Sequence, residues 1–534
     1  MRRTLIFLAF LFVIKFNFPI GTVNPSFGQE WRFQKPKGTL KVVDLFLPSA
    51  SLMFNYAEPL VDLDNENNWI PCLAEDWRWI NDRTIEFKLR EAVRFHNGES
   101  FNAEAVSINW EAYKKMKNPR LITFTMIPDD TILEILSDYI IRFTFKEPDG
   151  LIFVKLLWFH QIAPAFFKDH KFEEYFWGRP GISGPWGTGP FELVEGNAAL
   201  GDVSDRFLLE AFDGYWDRRY PKVKRIIFDN TLTATRQEAM RLCREEKGAV
   251  DLVSHIRPLD TLKVAESDFA KVLKSKDPTQ LGGWFNQRKS GSKWKDFRLR
   301  KAVNYAINRE ELWKYAAKGN AYNLGGFIPP GAFGHNQNLT RFRYDTDEAR
   351  RLLIEAGYPN GFEISMITYD TWKLEAQLIG RMLGRIGIKV NLDILPAPQY
   401  YRKVYIPILD QPPREQDWDI TMWYIADWFG HTGASFLGYN FIEESNYRWI
   451  EYDPEYEAMW KEMVTTVEKD AQEDKIQQMV QYVYDKGYNM VFYFPLFFWA
   501  VSKEVNFVPH ESSILRLKET SVTENHWSVR GKND

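Results

Sequence analysis

The sequence predicts an α/β protein built from more than one domain. Three observations carry that prediction. At 534 residues the chain exceeds what one hydrophobic core supports, so two or three domains are expected. Helix-period runs alternate with strand-period runs. Residues 374–385 read as a helix ending at Gly387, and Ile388, Val390, Leu392 and Ile394 then alternate with Lys389, Asn391 and Asp393 in a one-sided strand. The composition is globular, with 45% hydrophobic and 26% charged residues and no low-complexity tract. A net charge of -4 offers no broad basic surface, which argues against nucleic acid as a partner. Aromatic residues reach 16% with 20 Trp, enough to suggest that some line a cleft.

Taken in order, the chain opens on a targeting segment. Arg2 and Arg3 precede an apolar run from Leu5 to Ile14, which Lys15 stops before it could span a bilayer. Ser26 and Gly28 place small residues for signal peptidase. A signal peptide over 1–28 and a mature start at Gln29 are expected, with no Cys nearby for a lipid anchor. The mature protein is expected to be exported. Cys72 and Cys243 are expected to be buried free thiols.

Residues 38–47 read as a first strand, and Ile85, Phe87 and Leu89 alternate with charged neighbours in a half-buried one. Asn102 caps a helix carrying Val106, Trp110 and Tyr113. Ile141, Phe143 and Phe145 mark another strand. Residues 187–194, Gly-Thr-Gly-Pro followed by a strand pattern, do not suit a phosphate loop. Residues 223–228 read as a strand and 234–246 as a helix. Residues 283–286 read as a strand, followed by a polar loop and a helix from Phe297 that buries Leu299, Ala302, Val303, Ala306 and Ile307. Asn308 and Glu311 have capping-box spacing, as do Asp345 and Glu348, and Gly319 and Gly357 suit left-handed helix ends. Ile476, Met479, Val480, Val483 and Tyr484 form one helical face. Residues 491–501 read as a buried strand broken by Pro495.

The letters of residues 283–311, GWFNQRKSGSKWKDFRLRKAVNYAINREE, say more than their periods. An apolar residue before Asn, a loop, and then Phe-Arg-x-Arg-x-Ala-x-x-Tyr-Ala-Ile-Asn-Arg-Glu resembles the central signature of family 5 of the bacterial extracellular solute-binding proteins. The match continues in family order through Glu58 and Leu60, residues 71–115, 187–194 and 213–252. The resemblance implies a two-lobe periplasmic binding protein of the cluster C type, with an extra domain on the first lobe and a hinge between lobes. Lobe I would comprise 29–67, 188–281 and 499–534, the additional domain 68–187, and lobe II 282–498. It also implies an ABC importer receptor that closes on a solute and delivers it to membrane permease subunits. The solute would be an oligopeptide or dipeptide, with an oligosaccharide as the alternative.

The chemistry for catalysis is sparse. There is no metalloprotease, hydrolase-elbow or nucleotide-binding motif, and the eight His lack zinc spacing. No enzyme activity, cofactor or metal site is expected, and a monomer is expected. An exported glycan-acting enzyme is the rival class, requiring two carboxylates facing each other across a cleft. The best functional stretch is residues 418–437, where a strand runs into Trp423, Tyr424, Asp427 and Trp428. In the peptide-binding branch of the family a Trp-to-Asp loop pairs a carboxylate with the ligand's α-ammonium, so the resemblance gives Asp427 that role. The spacing here is one residue longer, and Asp427 reads equally well as a loop cap. Trp423, Trp428 and Tyr424 would form stacking walls, and Tyr56 and Glu58 would approach from lobe I.

Overall fold

The computed structural model describes residues 35–45, 48–64, 68–115, 126–170, 184–199, 202–233, 235–276, 278–405, 416–425, 433–445, 447–511 and 514–530. The expected signal segment therefore lies outside the described residues.

The first strand, β1 (Lys37–Val43), buries Leu40, Val42 and Val43. Helix α1 (Pro48–Tyr56) follows it. A separate antiparallel sheet then forms from β2 (Ala74–Asn81), β3 (Thr84–Leu89), β4 (Ile132–Ser137) and β5 (Ile140–Thr144), ordered β2-β3-β5-β4. Helix α2 (Ala103–Lys114) belongs to this domain, and its Asn102 cap accepts from the Ala105 N–H at 2.9 Å. Strand β3 corrects the expectation of a half-buried strand, because Glu86 is only 5% exposed. As β3 is flanked on both sides, Glu86 is covered by Arg78 from β2 (Nε to Oε2, 2.8 Å) and Arg142 from β5 (Nε to Oε1, 3.0 Å). A buried carboxylate is tolerated when such partners satisfy it.

The chain then returns to the sheet of β1 with β6 (Phe191–Glu195), β7 (Arg206–Ala211), β8 (Val223–Asp229), helix α3 (Arg236–Glu245), β9 (Leu252–Ile256) and β10 (Ala270–Lys276). This is lobe I. Lobe II begins with β11 (Gln280–Phe285) and α4 (Phe297–Ala306). It continues through α5 (Thr346–Glu355), β12 (Phe362–Tyr369), α6 (Lys373–Gly384), β13 (Ile388–Leu395) and β14 (Ile420–Ile425). Helices α7 (Ala434–Phe441), α8 (Pro454–Val464) and α9 (Lys469–Lys486) complete it before the last long strand, β15 (Asn489–Ser502).

The predicted core faces form as their spacing requires. Helix α4 buries Leu299, Ala302, Val303 and Ala306, and α9 buries Ile476, Met479, Val480, Val483 and Tyr484. Asn308 and Asp345 each accept two backbone N–H groups at helix starts. Gly319 and Gly357 have φ of +78° and +89°, the left-handed conformation that a glycine adopts without a Cβ penalty. Cys72 and Cys243 are free and buried.

Strand β15 joins the lobes. The main sheet runs β13-β12-β14-β11-β15-β9-β1-β8-β7-β6, with β10 also on β15. The first half of β15 pairs with β11 (Trp284 opposite Asn489, Leu281 opposite Tyr493). Its second half pairs with β9 and β10 (Leu252 opposite Val501, Lys276 opposite Leu496). The strand is not broken at Pro495, as the sequence suggested. Pro495 falls between the last β11 partner and the first β10 partner, opposite Ala321 of the two-residue strand Ala321–Tyr322, and the neighbouring Leu496 N–H donates to the Asn320 carbonyl at 2.9 Å. The separate domain also touches lobe II: the Gly150 N–H donates to the Val464 carbonyl at 2.7 Å, and Leu151 and Val154 share a core cluster with Tyr456 and Met463.

Candidate functional site

Strand directions locate the site. In lobe I, β8 and β9 run parallel to β1. The end of β9, Ile256, lies opposite Phe498, close to the changeover on β15. In lobe II, β13 and β14 run parallel to β12. The end of β14, Ile425, lies opposite Gln280, where the chain has just entered from lobe I. The carboxyl ends of both parallel sets thus border the same boundary. In open α/β sheets, that is where ligands bind.

Lobe II brings an aromatic wall to this edge. Trp423 packs on Tyr400 at 5.6 Å and on Tyr424 at 5.4 Å between ring centres, and Tyr401 meets Trp423 edge-on at 5.6 Å. Tyr369, the last residue of β12, packs on Tyr400 at 5.1 Å and accepts from Trp372 Nε1 at 2.7 Å. The Tyr401 and Tyr424 hydroxyls lie 3.2 Å apart. Tyr400 is held by Thr421 Oγ1 at 2.7 Å and by donation to the Met422 carbonyl at 3.2 Å. Trp423 is 9% exposed and forms the base of the wall. Tyr424, Tyr401 and Trp372 are less buried and present its outer surface. Of this wall, the sequence reading named Trp423 and Tyr424 but not Tyr369, Trp372, Tyr400 and Tyr401. The tandem tyrosines after Pro396 and the Tyr-x-x-Trp at the end of a strand pattern were the available signals. Asp427 and Trp428 lie outside the described residues.

Tyr56 and Glu58 are not on this wall. The Tyr56 hydroxyl donates to the Gly184 carbonyl at 2.8 Å and accepts from the Trp186 N–H at 2.9 Å. The Gly-Thr-Gly-Pro segment packs on the same turn: the Gly189 N–H donates to the Tyr56 carbonyl at 2.9 Å, and Thr188 Oγ1 accepts from the Glu58 N–H at 3.2 Å. Glu58 is 6% exposed and accepts from Tyr215 Oη at 2.7 Å and Trp216 Nε1 at 3.0 Å. Both side chains are turned into the packing of lobe I, which corrects their placement as ligand contacts. Tyr56 and the Glu58 backbone seat residues 184–190 instead.

Burial pushes the Glu58 carboxyl up to about 7, against the lowering effect of the Tyr215 and Trp216 hydrogen bonds. A carboxyl raised in the folded state favours folding most below its ordinary value of 4.5, and that contribution is lost as pH rises through about 7. Wild-type protein is expected to lose on the order of 3 kcal/mol from this group between about pH 4.5 and about pH 8. Glu58→Gln should flatten that part of the profile. Denaturant titrations across the range check this, and equal slopes in the two proteins would exclude Glu58 as the source.

Lobe I contributes charge to the boundary. Arg236, the first residue of α3, is partly buried and, among the described residues, has no hydrogen-bond or ion-pair partner. Arg257, just past β9, pairs with Asp260 at 2.9 Å, and Asp260 also accepts from Gln237 Nε2 at 3.4 Å. His255, at the end of β9, has φ +51° and packs on Phe497 and Trp499 of β15.

Two lobes sharing one sheet, with facing strand ends and an aromatic wall between them, define a solute-binding protein that holds its ligand at the lobe boundary. The chain belongs to the bacterial extracellular solute-binding proteins, family 5, whose middle-region model matches residues 68–446. It is therefore a solute-binding protein. The glutathione-binding protein GsiB of Escherichia coli K12 is 27% identical over 391 residues, 72% of each chain. Among solved structures, the periplasmic binding protein DppA of Helicobacter pylori, in complex with peptide STSA, aligns with a TM-score of 0.73 and 19% identity, covering 91% of this chain and 98% of that one. A dipeptide-binding protein of Pseudoalteromonas sp. SM9913, in complex with Met-Leu, aligns at 0.73 with 17% identity, covering 91% and 100%.

Proposed function

We propose that this protein is exported through a cleaved signal peptide, captures a short peptide between its lobes in the periplasm, and delivers it to an ABC permease. It acts as a monomer and performs no chemistry on its ligand. The observation that carries this reading is the aromatic wall set at the facing strand ends on either side of β15. Family membership supports solute capture, and relatives named for glutathione and dipeptide support a peptide. Ligand contacts made from both lobes at once would stabilise the closed arrangement. Asp427, two residues past the end of β14 in sequence, anchors the peptide's α-ammonium, and Trp428 adds a stacking face for the ligand. A cation enclosed between lobes requires such a counter-charge.

Asp427→Asn is expected to weaken binding of peptides with a free amine by about 10- to 100-fold, the range for a hydrogen bond to a charged group. It should leave binding of neutral solutes unchanged. Thermal shift with free and N-acetylated peptides checks this. Equal affinity of wild type and variant for the free peptide would remove Asp427 from the site. The tyrosine-rich wall also suits the apolar faces of sugars, so the alternative is an oligosaccharide receptor. Stabilisation by neutral oligosaccharides and not by peptides would establish it.

A further inference from the structure

A buried N–H group is ordinarily matched by an acceptor, and a cluster of unmatched ones calls for a reason. Lobe II contains such a cluster. Arg448 and Trp449, between α7 and α8, pack against the residues that follow β11. The Gln287 N–H donates to the Trp449 carbonyl at 3.0 Å, and Arg288 Nη1 donates to the Arg448 carbonyl at 3.2 Å. The Trp449 and Trp284 rings meet edge-on with 6.0 Å between centres. Trp284 in turn lies opposite Asn489 at the start of β15. Arg448, Trp449, Trp284, Gln287 and Asn489 are therefore neighbours, and none is more than 8% exposed.

Each of the five carries side-chain nitrogen without an acceptor among the described residues: Arg448 Nε and Nη1, Trp449 Nε1, Trp284 Nε1, Gln287 Nε2 and Asn489 Nδ2. All six atoms are donors. The two amides can turn either end inward, but a guanidinium and an indole can only donate. Charge narrows the choice of what accepts from them. Among the described residues Arg448 forms no ion pair. Glu457, on α8, lies in the field of Arg448, but its Oε1 accepts from the Glu443 N–H instead. Water alone would accept the hydrogens and leave the guanidinium charge enclosed without a counter-ion. An anion meets both needs at once, through charge-assisted hydrogen bonds.

We propose that Arg448 and the indoles of Trp284 and Trp449 hold a small monovalent inorganic anion inside lobe II, with the amides of Gln287 and Asn489 turning their N–H groups toward it. Trp284 and Trp449 belong to the same apolar cluster as Trp423 and Tyr400, and Trp449 meets Trp418 edge-on at 5.2 Å. The anion thus braces the packing on which the aromatic wall is built. It is a component of the lobe and does not depend on which solute the cleft takes.

Chloride and bromide are the probes. Replacing gluconate by chloride at constant ionic strength, without solute, should raise the wild-type melting point by about 2–4 °C and then saturate. Arg448→Met, which keeps the stem and removes the charge, should abolish that response. In gluconate it should melt no lower than wild type, because it removes an uncompensated charge; a residue serving only packing would melt lower. Crystals of wild type soaked in sodium bromide should show an anomalous peak in contact with Arg448 Nε and the two indole nitrogens. Should Arg448→Met fail to fold, that peak and the wild-type chloride response decide the matter. Ordered water in place of the peak, or a chloride response that survives in Arg448→Met, overturns the site. A peak at high bromide with no effect of chloride on melting means an adventitious ion only, and overturns it as well.

Discussion

Asp251→Ala is expected to destabilise lobe I by about 3–5 kcal/mol, the cost of removing one partner from a buried charged network. Asp251 is fully buried at the start of β9. Its carboxylate accepts from the Lys41 N–H at 2.8 Å, His526 Nε2 at 3.0 Å and Trp527 Nε1 at 2.9 Å. Its own backbone N–H donates to the Lys41 carbonyl, and its carbonyl accepts from Ser502 at the end of β15. One side chain therefore ties β1, β9 and the C-terminal segment together. Alanine leaves three donors facing a cavity. Denaturant unfolding should show the loss, and limited proteolysis should release the segment from about Ile514 onward. Unchanged protease resistance of that segment would mean that the apolar packing of Leu515 and Leu517 holds it without the network.

Gly187→Ala is expected to cost about 3 kcal/mol or more, as forced overpacking against backbone does. A Cβ at position 187 would overlap the carbonyl oxygen of Tyr56, and one at position 189 would sit 2.7 Å from it. Neither neighbour can yield by rotating a side chain. The Gly187 carbonyl also accepts from the His96 N–H at 2.8 Å, so a displaced loop would give up that bond. The Trp186 N–H bond to Tyr56 lies beside it and would be strained by the same shift. The melting point in the absence of ligand checks this prediction. A melting point within a degree or two of wild type would show that the loop can slide without loss. Equivalent loss of stability in Gly189→Ala would support the close approach as the cause.

Much of the fold was legible because local signals and tertiary packing agreed. The α4, α5 and α9 faces, their Asn and Asp caps and the left-handed glycines are each set within a few residues of chain. The misreadings arose where distant chain segments decide the outcome. Glu86 looks like the solvent side of a strand until β2 and β5 bring Arg78 and Arg142 over it. Pro495 looks like a strand breaker until the partners on either side of it are known. The candidate site was less legible for the same reason. Tyr369, Tyr400 and Trp423 lie far apart in sequence and meet only because β12 and β14 are neighbours in the sheet. Glu58 belongs to a recognisable motif with Leu60, but the motif records how a turn is seated rather than what is bound.

The shared strand β15 bears on how such a protein can be cut and recombined. Its first residues complete one lobe and its last residues complete the other, with Pro495 between them. No single break in the chain yields two fragments that each keep a whole sheet. A stretch of sequence ending before Asn489 leaves β11 with an open edge, and one ending at Pro495 strips β9 and β10 of theirs. A change of binding specificity that keeps both sheets whole is therefore one made in the loops at the strand ends, within an intact chain, rather than by exchanging one lobe for another.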